Sequence, residues 1–288
     1  MRQEAYFCTV KELDELGKNN IPRQLISHTH LIYSSPATLA FNSPGAEGFG
    51  VKRAGLAVPD SVMLIVSPGC CGRNTSVLSS MRAYQDRFYY LLMDETDIVT
   101  GRHLKKIPKA VAEICEGLKK KPSVVMICIT CVDALLGTDM ERVCHKAEEY
   151  AGVPVRPCYM YALTREGRKP PMVHVRQSVY SLLEPKKKKG NVVNLLGYFS
   201  PLTDDCELYD LLHGAGVKTI HEISRCKDYA QYQTMSEANF NLVLHPEARF
   251  AAEDFHDRLK IPYIELRRLY QIDKIASQYR ALAAALGV

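Results

Sequence analysis

Short, uninterrupted apolar runs alternate with longer amphipathic stretches along most of the chain. Such runs are typical of strands that are buried on both faces of a parallel sheet, and the stretches between them show the apolar spacing of helices. The predicted strands are 61–67, 88–93, 123–130, 153–158, 192–198, 217–222, 240–244 and 262–265. The predicted helices are 74–85, 103–119, 139–151, 172–184, 204–214, 247–259 and 270–286. The pattern therefore predicts an α/β protein.

A proline, a run of lysines and a glycine interrupt this pattern between Glu184 and Gly190, which is typical of a boundary between domains. We therefore expect two Rossmann-like, doubly wound parallel-sheet domains, 1–188 and 189–288. The first would carry an irregular N-terminal arm of about 55 residues, rich in proline and glycine, that wraps over another surface. The second, smaller domain would end in a helix that packs back on the core or on a partner subunit.

Charge and hydropathy exclude several classes of function. The net charge is +5, and much of the excess lies in the run 186–189, which we interpret as a solvated linker because no aromatic residues interleave it. A nucleic-acid partner is therefore not expected. No apolar run approaches the length of about 18 residues that a membrane span needs, and the N-terminus lacks the apolar core of a secretory signal. We expect a cytoplasmic protein.

The chain has ten cysteines, which in a cytoplasmic protein do not indicate a disulfide framework. Those inside predicted helices or strands are interpreted as small buried hydrophobic residues; they are Cys115, Cys128, Cys144 and Cys206. Cys70 and Cys71 directly follow the first predicted strand, and Cys131 follows the third. Ligands bind at the carboxyl edge of such sheets, and thiolates hold iron–sulfur clusters. These three cysteines are therefore predicted metal ligands in loops.

A histidine at the second predicted sheet is the first candidate for acid–base chemistry. His245 lies between a predicted strand and a predicted helix, either as a metal ligand or proton donor or as a histidine without a ligand. Further candidate donors in a cleft between the domains are Glu47, Asp94, Glu95 and His174. His28 and His30 could share one strand face as a metal pair, but no second pair supports that site.

Four motifs, in this order, resemble the nitrogenase component 1 superfamily, and the resemblance covers most of the chain. The first is the Pro-x-Gly-Cys-like segment at 67–70, and the second is the Asp-Ile-Val-x-Gly segment that ends at Gly101, which we interpret as the end of a strand. The third is the segment from Cys131 to Asp139, and the fourth combines the segments 241–245 and 261–263. The resemblance implies that Cys70 and Cys131 bind an iron–sulfur cluster, [4Fe–4S] or larger, between subunits. A homodimer would supply four thiolates, or six if Cys71 also binds.

The resemblance also implies contacts and partners. Gly69, Gly72 and Gly101 are the motif glycines expected against the cofactor. Electrons would come from a separate P-loop ATPase, an iron protein, and Lys105 and Lys106 are candidate docking residues for it. This chain itself contains no G-x-x-x-x-G-K-[ST] sequence.

The departures from the family pattern narrow the expected function. No cysteine occurs near Asn42, where the family has a cluster ligand, and His245 matches the position of the cysteine that binds the large cofactor of nitrogenase. The third domain of the catalytic subunits would also be missing, so dinitrogen reduction is not expected. The first hypothesis is a reductase component for a bulky substrate such as a tetrapyrrole. The alternatives are a scaffold or carrier for metallocofactors, and a zinc-binding or purely structural protein.

Overall fold

The structure is a computed structural model, which describes residues 9–17, 19–20, 50–69, 79–160 and 169–288. The strands are β1 (Val62–Ser67), β2 (Phe88–Leu92), β3 (Val125–Ile129), β4 (Val155–Tyr159), β5 (Val192–Leu196), β6 (Thr219–His221), β7 (Phe240–Val243) and β8 (Tyr263–Glu265). The helices are α1 (Val10–Leu16), α2 (Gly50–Gly55), α3 (Glu95–Thr100), α4 (His103–Gly117), α5 (Cys131–Leu135), α6 (Met140–Ala151), α7 (Pro171–Tyr180), α8 (Glu207–Gly214), α9 (Tyr229–Gln233), α10 (Arg249–Leu259) and α11 (Ile272–Leu286). Short 3₁₀ turns cover Ile223–Arg225, Thr234–Glu237 and Pro246–Ala248.

The first four strands form a parallel sheet in the order β2-β1-β3-β4. Alternate residues of β1 and β3 face opposite sides because strand side chains alternate. Leu64 and Ile127 pack with α4 and α6, whereas Met63 and Met126 pack with α2 and α7. The chain moves to one side of β1 to form β2 and to the other side to form β3. The switch point of this doubly wound sheet therefore lies between β1 and β3.

The second sheet repeats this arrangement, with all four strands parallel in the order β6-β5-β7-β8. On one face, Leu195 and Leu242 pack against α8 and α11. On the other face, Leu196 and Val243 pack with α10. The switch point of the second sheet lies between β5 and β7. The predicted fold class is confirmed.

Helix α7 belongs to a core that continues from the first sheet to the second. Its Val179 and Tyr180 are buried together with Met63 of β1 and Phe255 of α10. The rings of Tyr180 and Phe255 lie 5.3 Å apart between centroids, and burial of the Phe255 side chain contributes about 1.5–3 kcal/mol. The segment 181–191 joins the sheets, and the division of the chain at 188–189 stays a prediction.

Strand β4 is an edge of the first sheet, and its outward polar groups are covered. The Val155 N–H donates to Glu148 Oε1 at 2.9 Å, and the Val155 carbonyl accepts from Arg156 Nη1 at 2.8 Å. Pro157 has no N–H, and its carbonyl accepts from Ser178 Oγ at 2.8 Å. Because unpaired edge groups invite pairing with other chains, these contacts protect the sheet from edge-to-edge association.

Several local predictions need correction. The segment ending at Gly101 is not the end of a strand but the short helix α3, because Asp94 and Asp97 form a capping box at its start. The predicted helix 74–85 does not reach residue 85, because residues 80–86 form turns and a bend. The arm is not irregular throughout, since α1 lies within it and the buried helix α2 follows at its end. In the described ranges, no helix has both the length and the apolar character of a membrane span.

The lysine run is exposed at Lys186 and Lys187, as a solvated linker would be. The last two lysines of the run bind the 3₁₀ turn Thr234–Glu237, which precedes β7 of the second sheet. Lys188 Nζ donates to the Ser236 carbonyl at 2.6 Å, and the Lys189 N–H donates to the Glu237 carbonyl at 2.8 Å.

Candidate functional site

The first candidate site is the carboxyl edge of the first sheet at its switch point. Ser67 ends β1, and Gly69 follows two residues later. Cys131 follows β3 after a single residue. Cys131 is not in a loop, as the sequence predicted, but is the first residue of the short helix α5. Cys70, Cys71, Gly72 and Glu47 lie outside the described residues.

A buried histidine–aspartate pair lies beneath α5. His103 Nε2 is 2.8 Å from Asp133 Oδ1, and their side chains are 1% and 0% exposed. His103 Nδ1 is 3.0 Å from the carbonyl oxygen of Asp97. A carbonyl oxygen only accepts hydrogen bonds, so Nδ1 carries a proton. Nε2 then meets a carboxylate oxygen, so a second proton is shared between His103 and Asp133. The pair attaches α5, and with it the backbone of Cys131, to α4.

A second buried carboxylate organises the neighbouring helix. Asp97 is 1% exposed and accepts hydrogen bonds at 2.8 Å from both Arg102 Nε and Lys106 Nζ. The bonds from Lys106 and then Arg102 hold the pKa of Asp97 well below its usual range. Lys106, a candidate docking residue, is therefore engaged in the structure of this edge, whereas Lys105 is exposed. The sequence analysis missed the interior roles of His103, Asp97 and Asp133.

The remaining candidates at this edge have structural roles of their own. Asp94 is the N-cap of α3, and its Oδ1 accepts from the Asp97 N–H at 2.7 Å. Gly101 ends the same helix with φ of 65°, a left-handed conformation that glycine adopts without strain. Glu95 is exposed in the first turn of α3.

The polar atoms of this edge fit an iron–sulfur group. Ser67 Oγ, Thr130 Oγ1 and Asp133 Oδ2 are buried without a hydrogen-bond partner among the described residues. Hydroxyl groups can donate to sulfur, and Cys131 follows Thr130 directly in the sequence. The described part of the chain contains no cluster of three or more histidine, cysteine or acidic side chains that could hold a metal ion.

The second candidate site is a cavity of about 710 Å³ at the switch point of the second sheet. Tyr198 follows β5, and His245 follows β7, and both line this cavity. Gly197, with φ of 133°, brings the two strand ends together, since a Cβ atom there would lie 2.7 Å from His245 N. A volume of this size is typical of sites for small molecules and cofactors.

The hydrogen bonds of His245 indicate which of its ring nitrogens carries the proton. The Glu247 N–H donates to His245 Nδ1 at 3.3 Å, so the lone pair of Nδ1 accepts this bond and the proton of the neutral ring is on Nε2. Glu247 Oε2 lies 3.6 Å from the same Nδ1, beyond hydrogen-bond distance, and is bound by Arg176 Nη1 at 2.7 Å. In this state His245 offers an N–H donor. Binding of a metal through Nε2 would require the proton to move.

The cavity is rich in positive charge. Arg249, Arg267 and Arg268 line it together with a single carboxylate, Glu265. Arg249 Nη2 is 2.9 Å from Glu265 Oε2, and Arg267 Nε is 3.6 Å from the same atom. The hydrogen bond from Arg249 lowers the pKa of Glu265. Because three cations share one anion, the cavity favours an anionic ligand.

Arg176 binds the backbone and a side chain next to this cavity. Arg176 of α7 donates through Nη2 to the Gly197 carbonyl at 2.7 Å and through Nη1 to Glu247. The side chains of Arg176 and Glu247 are 5% and 8% exposed. A buried pair of this kind positions the backbone around it, since loss of one partner leaves an unpaired charge. The sequence analysis did not identify either residue.

His174 does not lie beside His245. It lines a separate cavity of about 570 Å³ that α6 and α7 form over β4. Its ring contacts Tyr159 edge-on, with centroids 4.2 Å apart. Burial lowers the pKa of His174 to about 4, so the ring is neutral at physiological pH.

Several of the remaining cysteines have the structural role that the sequence predicted. Cys128 and Cys144 are buried, and Cys115 and Cys206 are half-buried. Burial raises the pKa of the Cys144 thiol far above its usual value. These thiols are hydrophobic packing elements.

Known proteins resemble this chain over most of its length. The chain is 27% identical to the nitrogenase iron-molybdenum cofactor biosynthesis protein NifE of Nostoc sp. over 80% of this chain and 49% of that protein. It is also 27% identical to the NifE protein of Klebsiella pneumoniae, over 85% of this chain and 58% of that protein. The chain thus spans about half the length of the curated relatives it matches.

The fold has solved counterparts. The structure of nitrogenase Cp1 at pH 6.5 superimposes with a TM-score of 0.61 and 18% identity, covering 82% of this chain and 56% of that chain. At this identity the likeness shows the fold alone. The family model for nitrogenase component 1 type oxidoreductases matches residues 47–288. With both switch points and the motifs around them in place, the chain belongs to the nitrogenase component 1 type oxidoreductase family.

Proposed function

We propose that the protein is an iron–sulfur reductase component in which a cluster at the first sheet serves a bulky anionic ligand at the second. The observation that carries this proposal is the repeated strand order. Cys131 and the segment that follows β1 lie at one switch point, and His245 lies at the other. Ligands of open α/β sheets bind at such points.

A homodimer would complete the cluster site. Cys70 and Cys131 from two copies supply four thiolates, the usual number for a cubane cluster, and Cys71 would raise the number to six. When bound, the cluster would supply one-electron transfer. The buried pair of His103 and Asp133 would hold Cys131 in place.

Exposed apolar side chains beside the first site support a role in association. Val99 of α3 is 85% exposed, Leu135 of α5 is 70% exposed and Leu92 at the end of β2 is 60% exposed. We propose that these side chains belong to one apolar contact surface, since contiguous exposed apolar groups are typical of protein contacts. We assign this surface to a second copy of the chain and to a P-loop ATPase that delivers electrons, with Lys105 at its margin.

The second cavity would bind and orient the ligand that is reduced. Arg268 has no acidic partner in the described part of the chain, so it is available for a carboxylate of the ligand. The Nε2–H of His245 can donate a hydrogen bond to the ligand or deliver a proton to it. A tetrapyrrole with carboxylate side chains combines the required size and charge.

Analysis of iron and acid-labile sulfide in anaerobically purified protein tests the cluster site. We expect Cys131→Ser to lose most of the iron, whereas Cys206→Ser, at the half-buried N-cap of α8, keeps the wild-type content. Full cluster content in Cys131→Ser would remove the basis of the proposal.

Electron transfer requires a separate measurement. We expect the cluster to be reduced only when the cognate P-loop ATPase, ATP and dithionite are all present. Absence of this ATP-dependent reduction, in protein that holds its cluster, would contradict the reductase function.

A second candidate function is a scaffold or carrier for a metallocofactor. It is favoured by the similarity to NifE proteins, whose names describe iron-molybdenum cofactor biosynthesis. A scaffold would transfer its metal group to an apo-acceptor protein, and a reductase would retain it through turnover. Incubation of the loaded protein with such an acceptor, followed by metal analysis of both, separates the two functions.

A further inference from the structure

Three neighbouring strand ends bring an aromatic ring, a histidine and an arginine to the cavity at the second switch point. Val243 of β7 pairs with Leu196 of β5 on one side and with Glu265 of β8 on the other. The residues two positions beyond this row all line the cavity; they are Tyr198, His245 and Arg267. Because adjacent strands lie about 4.8 Å apart, these three side chains are close enough to contact one ligand.

The two rings give this part of the cavity an aromatic wall. The rings of Tyr198 and His245 meet edge-on, with centroids 5.7 Å apart. Aromatic rings favour contact with another planar, conjugated group, either stacked or edge to face. The wall therefore suits a planar ligand.

Helix α11 fixes the segment that carries two of the arginines of the cavity. Gln278 Oε1 accepts from the Arg267 N–H at 2.8 Å, and Gln278 Nε2 donates to the Arg267 carbonyl at 3.1 Å. One side chain thus binds both backbone polar groups of Arg267, and Arg268 follows directly in the chain. A backbone that is already ordered reduces the entropy that binding costs.

Glu265 divides the arginines of the cavity into two groups. Arg249 donates through Nε and Nη2 to the two carboxylate oxygens of Glu265, and two parallel bonds of this kind form a strong pair. Arg267 Nε is 3.6 Å from Glu265 Oε2, beyond hydrogen-bond distance, and the Arg267 side chain is 72% exposed. Arg268 has no acidic partner among the described residues. Glu265 therefore neutralises Arg249, and two positive charges are left for a ligand.

We propose that Glu265 determines which ligands the cavity accepts, so that a planar molecule with two carboxylates on one edge binds in preference to a molecule with more. Arg267 and Arg268 each pair with one carboxylate of the ligand. Any further carboxylate would meet no available arginine and would be repelled by Glu265. The inference rests on the proposed function and narrows the ligand of this cavity to a dicarboxylate.

A purely structural role of Glu265 has a different consequence. The Arg249–Glu265 pair also connects α10 to β8, so its loss could disturb the cavity as a whole. In that case all ligands would lose affinity by the same factor. Selection by charge instead requires that the effect depend on the number of carboxylates on the ligand.

Binding of two porphyrins, followed by their fluorescence, tests the inference. Deuteroporphyrin carries two carboxylates on one edge, and coproporphyrin carries one on each pyrrole ring. We expect the wild-type protein to prefer deuteroporphyrin, and Glu265→Gln, which keeps the shape of the side chain, to shift the ratio of the two affinities towards coproporphyrin by about tenfold or more. Arg268→Gln should weaken deuteroporphyrin about tenfold, as is typical for loss of one hydrogen bond to a charged group.

Glu116→Gln is the matched control, because it removes one negative charge from the exposed face of α4 on the first sheet. It should change neither affinity. An equal change of both affinities in Glu265→Gln, or no change in either, overturns the inference. If Glu265→Gln does not fold, Arg268→Gln decides, since wild-type affinity of this exposed variant for deuteroporphyrin also overturns it.

The outcomes distinguish this inference from the proposed function, because porphyrin binding is measured without a cluster. If the wild-type protein binds neither porphyrin but holds a cluster that is reduced with ATP, the inference is overturned and the reductase function is retained. If the protein binds no cluster but selects deuteroporphyrin through Glu265, only the reductase function is overturned.

Discussion

Replacement of His103 by leucine should be among the most destabilising single changes in the first sheet. It leaves the carboxylate of Asp133, which is 0% exposed, with a single hydrogen bond from Thr138 Oγ1 at 3.0 Å. An unpaired buried charge of this kind costs about 3–5 kcal/mol. Asp133→Leu leaves the buried His103 bound only to the Asp97 carbonyl, which should cost about 1–3 kcal/mol.

The double variant His103→Leu/Asp133→Leu should cost less than the sum of the two single changes. Removal of both polar partners leaves no charge buried, and apolar replacements of buried pairs are often close to neutral. We therefore expect a coupling free energy of at least about 2 kcal/mol between the two residues.

Urea unfolding followed by far-ultraviolet circular dichroism measures these free energies, since the chain has no tryptophan to serve as a fluorescent probe. The surface pair His145 and Glu149, whose atoms are 3.4 Å apart, is the control. Its coupling should be about 0.5 kcal/mol or less because both side chains are exposed. If the His103 and Asp133 effects add to within about 0.5 kcal/mol, the two residues do not share a buried proton and the reasoning is refuted.

Three further predictions follow from backbone geometry and burial. Gly197→Ala should destabilise the protein by at least about 2 kcal/mol and displace His245, because φ is 133° and the new Cβ would lie 2.7 Å from His245 N. His174 has a pKa of about 4 in the folded protein against 6.5 in the unfolded chain. The free energy of unfolding should therefore fall by up to about 3 kcal/mol as the pH falls between these two values. His174→Phe should abolish that part of the pH dependence. Iodoacetamide should leave Cys144 and Cys158 unlabelled in the native protein, because burial raises the pKa of both thiols.

Each of these measurements has a control and an opposing outcome. Gly214→Ala meets no atom within 4 Å and should be close to neutral, so an equal effect at Gly197 would contradict the steric argument. For the pH dependence the reference is the slope of the wild-type protein, and an unchanged slope in His174→Phe would assign the effect to other groups. Cys206, half-buried, should be labelled before Cys144, and the reverse order would show that the core opens readily.

The strands and most of the long helices could be predicted because their signals are local. The buried run 62–66 is apolar without interruption, so burial on both faces follows from composition alone. Asp139 caps the N-terminus of helix α6, and Gly152, which follows the last residue of the helix, adopts the left-handed conformation. These features involve neighbouring residues, and a sequence displays them directly.

Predictions failed at one helix and at one expected cleft. The segment 95–100 carries Ile98 and Val99, which favour strands, but a capping box and the bonds from Arg102 and Lys106 to Asp97, all from nearby residues, make it helical. The sequence analysis also placed His174 in one cleft with His245, yet the two histidines line separate cavities, because the packing of distant elements decides which cavity a side chain lines.

The composition and periodicity of this chain were sufficient for the α/β class, the order of its strands and the association of Cys131 with a sheet edge, because apolar spacing and strand ends are properties of short segments. The buried proton of His103 and Asp133, the link from Arg176 to Glu247 and the two unpartnered hydroxyls depend on residues that folding brings together from far apart in the chain. The chemistry of these groups depends on their burial and on the distances between their side chains, and both are established only when the chain folds.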